Sequence, residues 1–120
     1  MPAIIAFSQA TTPAETDYPR EARRITGKPL RTTWNHFSNP SGEVHAGVWG
    51  CEIGSWRIEF GDTEDEFFFV TEGRCRITDE SGQAVEAGPG ESLVIPAGFR
   101  GTFEVLEPMK KHYVIVERKG

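Results

Sequence analysis

Cysteine, histidine, basic charge and long apolar runs are all scarce in this 120-residue chain, and each scarcity closes off a class of protein. Two cysteines, Cys51 and Cys75, are too few for a disulfide framework and fit no Cys-x-x-Cys pattern. Reduced core thiols in a cytoplasmic setting are therefore the expectation. The longest apolar run, Phe67-Phe68-Phe69-Val70, has the length of a strand, far short of the roughly 18 residues a membrane span needs. The opening Met1-Pro2-Ala3-Ile4-Ile5-Ala6-Phe7 lacks both the basic segment and the apolar length of a secretory signal. A formal charge of −5 and a pI near 5.2 do not suit a nucleic-acid binder. Only His36, His45 and His112 offer imidazole for metal or proton chemistry.

Turn residues and aromatics are plentiful. Thirteen glycines and eight prolines punctuate the chain too often for long helices and favour short strands joined by turns. Eight phenylalanines and three tryptophans supply large, rigid core pieces, which offsets a lean apolar share of 38%. The length suits one domain.

Residues 1–30 carry Pro2, Pro13, Pro19 and Pro29 without a sustained period, and read as an arm draped over the body or over a partner subunit. Within it, Pro19 to Arg24 could form a helical turn or two stopped by Gly27, with Arg20, Arg23 and Arg24 as a solvated face. Residues 31–120 form the body. From residue 43 onward short alternating stretches follow one another: 44–52, then Trp56, Ile58 and Phe60 alternating with charge, then 67–71, 74–78, 83–87, 92–95, 102–106 and 111–116. Seven or eight strands at spacings near ten residues describe an antiparallel sandwich or barrel.

Two glycine-framed blocks sharpen this picture. One runs Gly54, Phe60, Asp62, Glu66, Gly73, with five, one, three and six residues between; the other runs Gly90, Pro96, Gly98, Gly101, Val105, with five, one, two and three between. These frames resemble the two motifs of the cupin superfamily. The resemblance covers about residues 44–117 and implies an all-β, antiparallel double-stranded β-helix, the cupin jelly-roll barrel, with an extended N-terminal arm. Gly73 and Gly90 are expected to permit tight turns that reverse the strand. The strings Gly47-Val48-Trp49-Gly50-Cys51-Glu52, Gly98 to Val105 and Lys110-Lys111-His112-Tyr113 resemble a branch of small cupins related to ureidoglycine aminohydrolase and the ethanolamine-utilisation Q-type proteins. That branch is functionally mixed, so the resemblance transfers fold better than chemistry.

In metal-binding cupins the resemblance implies three histidines and one glutamate converging inside the barrel. Here the three histidine positions hold Phe60, Asp62 and Gly101, and only Glu66 remains, so the usual metal centre and any other cofactor are not expected. An atypical set of Glu66, Asp62 and His112 is the alternative. Glu66 among Trp56, Ile58, Phe60 and Phe68 is a candidate acid or base, or else a relic neutralised by an internal cation. Lys111 and Tyr113 share one strand face and His112 the other. Pointing inward, Lys111 and Tyr113 would join Glu66 as candidate catalytic residues; otherwise Lys111 is solvated and Tyr113 is core. Trp49, Trp56, Phe60, Asp62 and Phe68 are the candidate ligand-binding residues.

Three functional classes follow: a metal-independent cupin that binds or transforms a small polar metabolite, an atypical metalloenzyme of aminohydrolase type, and a non-catalytic sensing or structural cupin. Phe67 and Phe69 alternate with the inward Glu66 and Phe68, a second aromatic face that a homodimer would cover.

Overall fold

The computed structural model describes residues 2–119. Nine strands, β1 (Glu15–Asp17), β2 (Arg24–Thr26), β3 (Arg31–Ser38), β4 (Val44–Cys51), β5 (Gly54–Glu59), β6 (Glu64–Asp79), β7 (Ala84–Ala87), β8 (Ser92–Ile95) and β9 (Arg100–Glu117), form one antiparallel sheet. Helical structure among the described residues is confined to 3-10 turns at Phe7–Gln9 and Glu21–Arg23, and no helix is long and apolar enough to cross a membrane. The sheet curls into a jelly-roll barrel. Strand order runs β1-β3-β4-β9-β5-β2, with β6 laid along β9 and carrying β7 and β8 on its other edge.

Two long strands organise the barrel. β6 and β9 pair from Glu64↔Glu117 to Asp79↔Gly101, and each crosses from one half of the barrel to the other. One half of β9 lies against β4 and the other against β5. The even-numbered residues Glu66, Phe68 and Val70 of β6 are buried at one end, and the odd-numbered Cys75 and Ile77 at the other. Such a change of phase requires extra residues in one strand, and the ladder shifts register between Val70 and Cys75. Gly73 sits in that shift at φ +76°, where a Cβ would stand 2.1 Å from the Pro108 carbonyl oxygen. Gly73 therefore bends a continuous strand and does not reverse it. The expected strands at 67–71 and 74–78 are one strand, as are those at 102–106 and 111–116, because this bulge carries the same residue types as a turn. Gly90 does occupy a turn, at φ +86°.

Residues before 43 contribute more sheet than their composition suggests. β3 pairs along β4, β1 adds to β3, and β2 adds to β5. Strands β1 and β2 thus tie this segment to the body of its own chain. Pro19 and Pro29 are fully buried, and Pro29 packs where a side chain at Gly54 would otherwise stand. Arg24 donates from Nε to the Pro19 carbonyl, and the 3-10 turn at Glu21–Arg23 takes the place of the expected helical turn. Phe7 packs against the rings of His36 and His112, at centroid distances of 4.8 and 5.3 Å.

The core lies between the two faces of the curl. Trp56 stacks on Phe103 at 5.2 Å and 21°, Trp49 meets the Phe103 ring edge-on at 5.6 Å, and Phe68, Val70, Cys75 and Val105 are almost wholly buried around them. Outside, Arg74 and Arg76 both bond Glu86 across the β6–β7 pair, as surface charges. Replacing Gly73 by alanine should cost more than about 2 kcal/mol, through the left-handed backbone and the contact with Pro108 together. Urea unfolding of Gly73→Ala checks this, with Gly82→Ala as the control: Gly82 also has positive φ, but nothing stands within 4 Å of its Cβ position.

Candidate functional site

The curl of the sheet encloses a cavity of about 230 Å³. One wall is aromatic, formed by Trp49 of β4, Trp56 of β5, Phe60 just beyond β5, and Phe103 of β9. Its polar groups are Arg31 and Thr33 from β3, Glu66 from β6, and Lys111 and Tyr113 from β9.

Glu66 and Lys111 form a buried ion pair. Lys111 Nζ donates to Glu66 Oε2 at 2.8 Å, with side-chain exposures of 7% and 11%. The ammonium lies over three ring faces, 4.1 Å from the centroid of Phe68, 4.6 Å from Trp49 and 5.0 Å from Phe103. Aromatic faces and a carboxylate both favour the cation, which offsets the cost of removing an ammonium from water. Strand alternation brings Lys111 here: Phe103, Val105, Met109, Lys111 and Tyr113 are the buried positions of β9. Lys111 is therefore interior, not solvated.

Tyr113 is 5% exposed and donates from its hydroxyl to Asn35 Oδ1 at 2.7 Å. The hydroxyl reaches β3 past Gly47, where a Cβ would lie 2.8 Å from it. Burial, then the nearby charges of Glu66 and Glu15, push the Tyr113 phenol up to about 12. At neutral pH it is a hydrogen-bonding phenol and not a base.

Other candidates fall elsewhere. Asp62 is exposed on the turn before β6, outside the cavity. Phe68 is wholly buried behind the Lys111 ammonium and is not part of the cavity lining. His112 lies on the opposite face of β9, against Phe7. The set of Glu66, Asp62 and His112 does not converge, and no group of three His, Cys, Asp or Glu side chains among the described residues stands close enough to hold a metal ion. The residues present do not fit the centre a metal-binding cupin would hold. Phe60 has no ligand atom, Lys111 occupies an oxygen of Glu66, and a Cβ at Gly101 would lie 2.0 Å from the Thr78 carbonyl oxygen.

Arg31 is the group missed at the sequence level. Asp17 of β1 grips it twice, Nε to Oδ1 at 2.9 Å and Nη2 to Oδ2 at 2.6 Å, and its guanidinium lies 5.4 Å from the Trp56 ring centroid. Thr33, Ile95, Phe103 and Ile115 complete the additions. A signal was present in Arg31-Thr32-Thr33-Trp34, where β-branched and aromatic residues favour a strand.

A curled antiparallel barrel whose mainly apolar interior cavity holds a few polar groups, built on two glycine-framed motifs, defines a cupin. The EutQ-like cupin domain matches residues 38–113, and the chain belongs to that family. Among solved structures, a protein of unknown function from Pseudomonas syringae pv. tomato superposes with a TM-score of 0.76 at 18% identity; the match covers 91% of this chain and 52% of that one. This chain thus spans about half the length of that relative. The EutQ protein of Clostridium difficile superposes at 0.67 with 24% identity, covering 82% of this chain and 73% of that one. An ethanolamine utilization protein Q from Salmonella typhimurium LT2 gives 0.65 at 16% identity, covering 89% and 99%. At these identities the likeness concerns fold alone. A search of the curated proteins finds no match.

Both cysteines are free and buried. Burial pushes the Cys51 thiol up to about 12 and raises that of Cys75. Neither should react with a thiol reagent at pH 8 in the native state. Release of two equivalents only after unfolding is the expected result, read by absorbance.

Proposed function

We propose that the barrel binds a small polar metabolite and that Glu66, Lys111 and Tyr113 are the groups that recognise or transform it. One observation carries this reading: a buried carboxylate–ammonium pair faces a cavity instead of being packed over. Glu66 Oε1 has no protein partner among the described residues, so it is free to accept from a bound molecule, while Lys111 holds Oε2. The pair has the parts for proton transfer, a carboxylate and an ammonium in contact, and Tyr113 offers a neutral hydroxyl beside them. Trp49, Trp56 and Phe60 would cover the ligand's apolar part.

The test uses thermal unfolding across a library of small metabolites, with the variant Glu66→Gln/Lys111→Met as control. Removing both charges together avoids stranding either one, a loss that costs about 3–5 kcal/mol when only one partner goes. The single variants Glu66→Gln and Lys111→Met should each be markedly less stable than the double variant. At least one metabolite should raise the unfolding temperature of the wild-type protein and not that of the double variant. A library without effect favours a barrel with a purely structural role, and an effect unchanged in the double variant removes Glu66 and Lys111 from recognition.

We further propose that the chain forms a homodimer through the outer face of the barrel. Cross-strand register aligns Val94, Phe67, Val114, Ala46 and Phe37 in one row over five strands, and Phe69, His112, Val48 and Trp34 in the next. Phe7 packs beside His112 in the second row, and in the first Phe67 is 45% and Val94 63% exposed. A row without charge on an acidic chain suits a second copy of the same face. Sedimentation at micromolar concentration should show a dimer for the wild-type chain and a monomer of unchanged circular dichroism for Phe67→Asp.

A further inference from the structure

We infer that the molecule taken by this cavity is a small carboxylate with an apolar body, received by Arg31, with Asp17 of the N-terminal arm as the residue that positions the guanidinium. The inference rests on the barrel as a binding site and goes further by naming the chemical class. Inside the cavity the Glu66–Lys111 pair is formally neutral, which leaves Arg31 as the remaining charge in its lining. Asp17 and the Tyr18 carbonyl take only Nε and Nη2 of that guanidinium. Nη1 has no protein partner among the described residues, so with the rest of the guanidinium held its N–H groups remain to donate to a second carboxylate. Asp17 itself is 61% exposed and stands on the solvent side, where water screens its charge.

The approach to the cavity has the same bias. A basin outside it shares Arg31, Trp56, Ile58 and Phe60 with the cavity wall and adds Arg20, Arg23 and Arg57 against Glu59 and Glu64. Four arginines facing two glutamates is a local reversal in a chain of formal charge −5. Arg20 and Arg23 come from the arm, and the carbonyl of Ala22, also on the arm, holds Arg57 in place. A focused positive mouth raises the local concentration of an anion and its rate of entry.

Size and lining set the rest of the ligand. A dry cavity of about 150 Å³ suffices for a benzene ring, so about 230 Å³ admits a ring with one small polar group and little more. Trp49, Trp56, Phe60 and Phe103 provide flat apolar surface for such a body.

Three probes of one shape separate the possibilities: benzoate, benzyl alcohol and benzylamine, titrated into the full chain and followed by tryptophan emission, to which Trp49 and Trp56 of the cavity wall contribute. Benzoate should bind saturably and at least tenfold more tightly than the other two. Arg31→Met should lose that preference while binding benzyl alcohol as the wild-type chain does. Asp17→Asn keeps the guanidinium but loosens its anchorage, and should weaken benzoate several-fold without touching the alcohol; it carries the test if Arg31→Met fails to fold. Equal binding of the three probes, or benzoate binding indifferent to both substitutions, overturns the carboxylate assignment and leaves the barrel as a binding site. No saturable response to any probe removes both.

Discussion

The ladder between β6 and β9 is the constraint on which the rest of this structure depends. Each strand must keep its partner while passing from one half of the barrel to the other, and each must present apolar side chains inward at both ends. β9 meets both demands in a single phase, whereas β6 changes its inward phase midway, which a period of two residues allows only where the ladder shifts register. The register shifts between Val70 and Cys75 provide that change, and Gly73 is the position at which a backbone close to Pro108 allows no side chain. With the phase set there, Glu66 and Phe68 face inward on β6 and Lys111 and Tyr113 on β9. A site assembled from residues 45 positions apart thus follows from one local bulge.

A buried ion pair is a poor source of stability, since desolvation cancels most of the attraction, and an apolar pair of similar volume would hold the barrel at least as well. The pair here is further wrapped by Trp49, Phe68 and Phe103, which shield it from water and favour the cation. Its value lies in placing two opposite charges at fixed positions on the wall of an otherwise aromatic cavity. The arm adds the third charged position, through Asp17 and Arg31. Arm and barrel accordingly meet at the cavity, although they differ sharply in composition.

Much of the fold was legible because motif spacing is a backbone property. The glycines at 54, 73, 90 and 98, with Pro96, mark fixed places in a barrel whatever the side chains between them do. The strand from Ser92 to Ile95 was readable from its bounding turns alone. Gly73 misled, since a left-handed glycine inside a strand and one between two strands look the same in one dimension. β3 was obscured because its inward residues, Arg31 and Thr33, are polar, and a polar interior reads as coil. The direction of Lys111 was undetermined for a related reason: lysine is usually solvated, and the partner that justifies its burial is remote in sequence. Asp62 was over-read, since a motif position kept its place in the frame but its side chain stands in solvent.

Lys111 also changes what it means for this barrel to be loaded. A charge borne by a side chain is present in every copy from the moment of synthesis, at a fixed stoichiometry of one, and neither dilution nor a competing chelator removes it. Its reach is limited by four methylenes and its contacts by a single direction of approach. A dissociable ion responds to its supply; the ammonium of Lys111 responds to whatever occupies the space beside it.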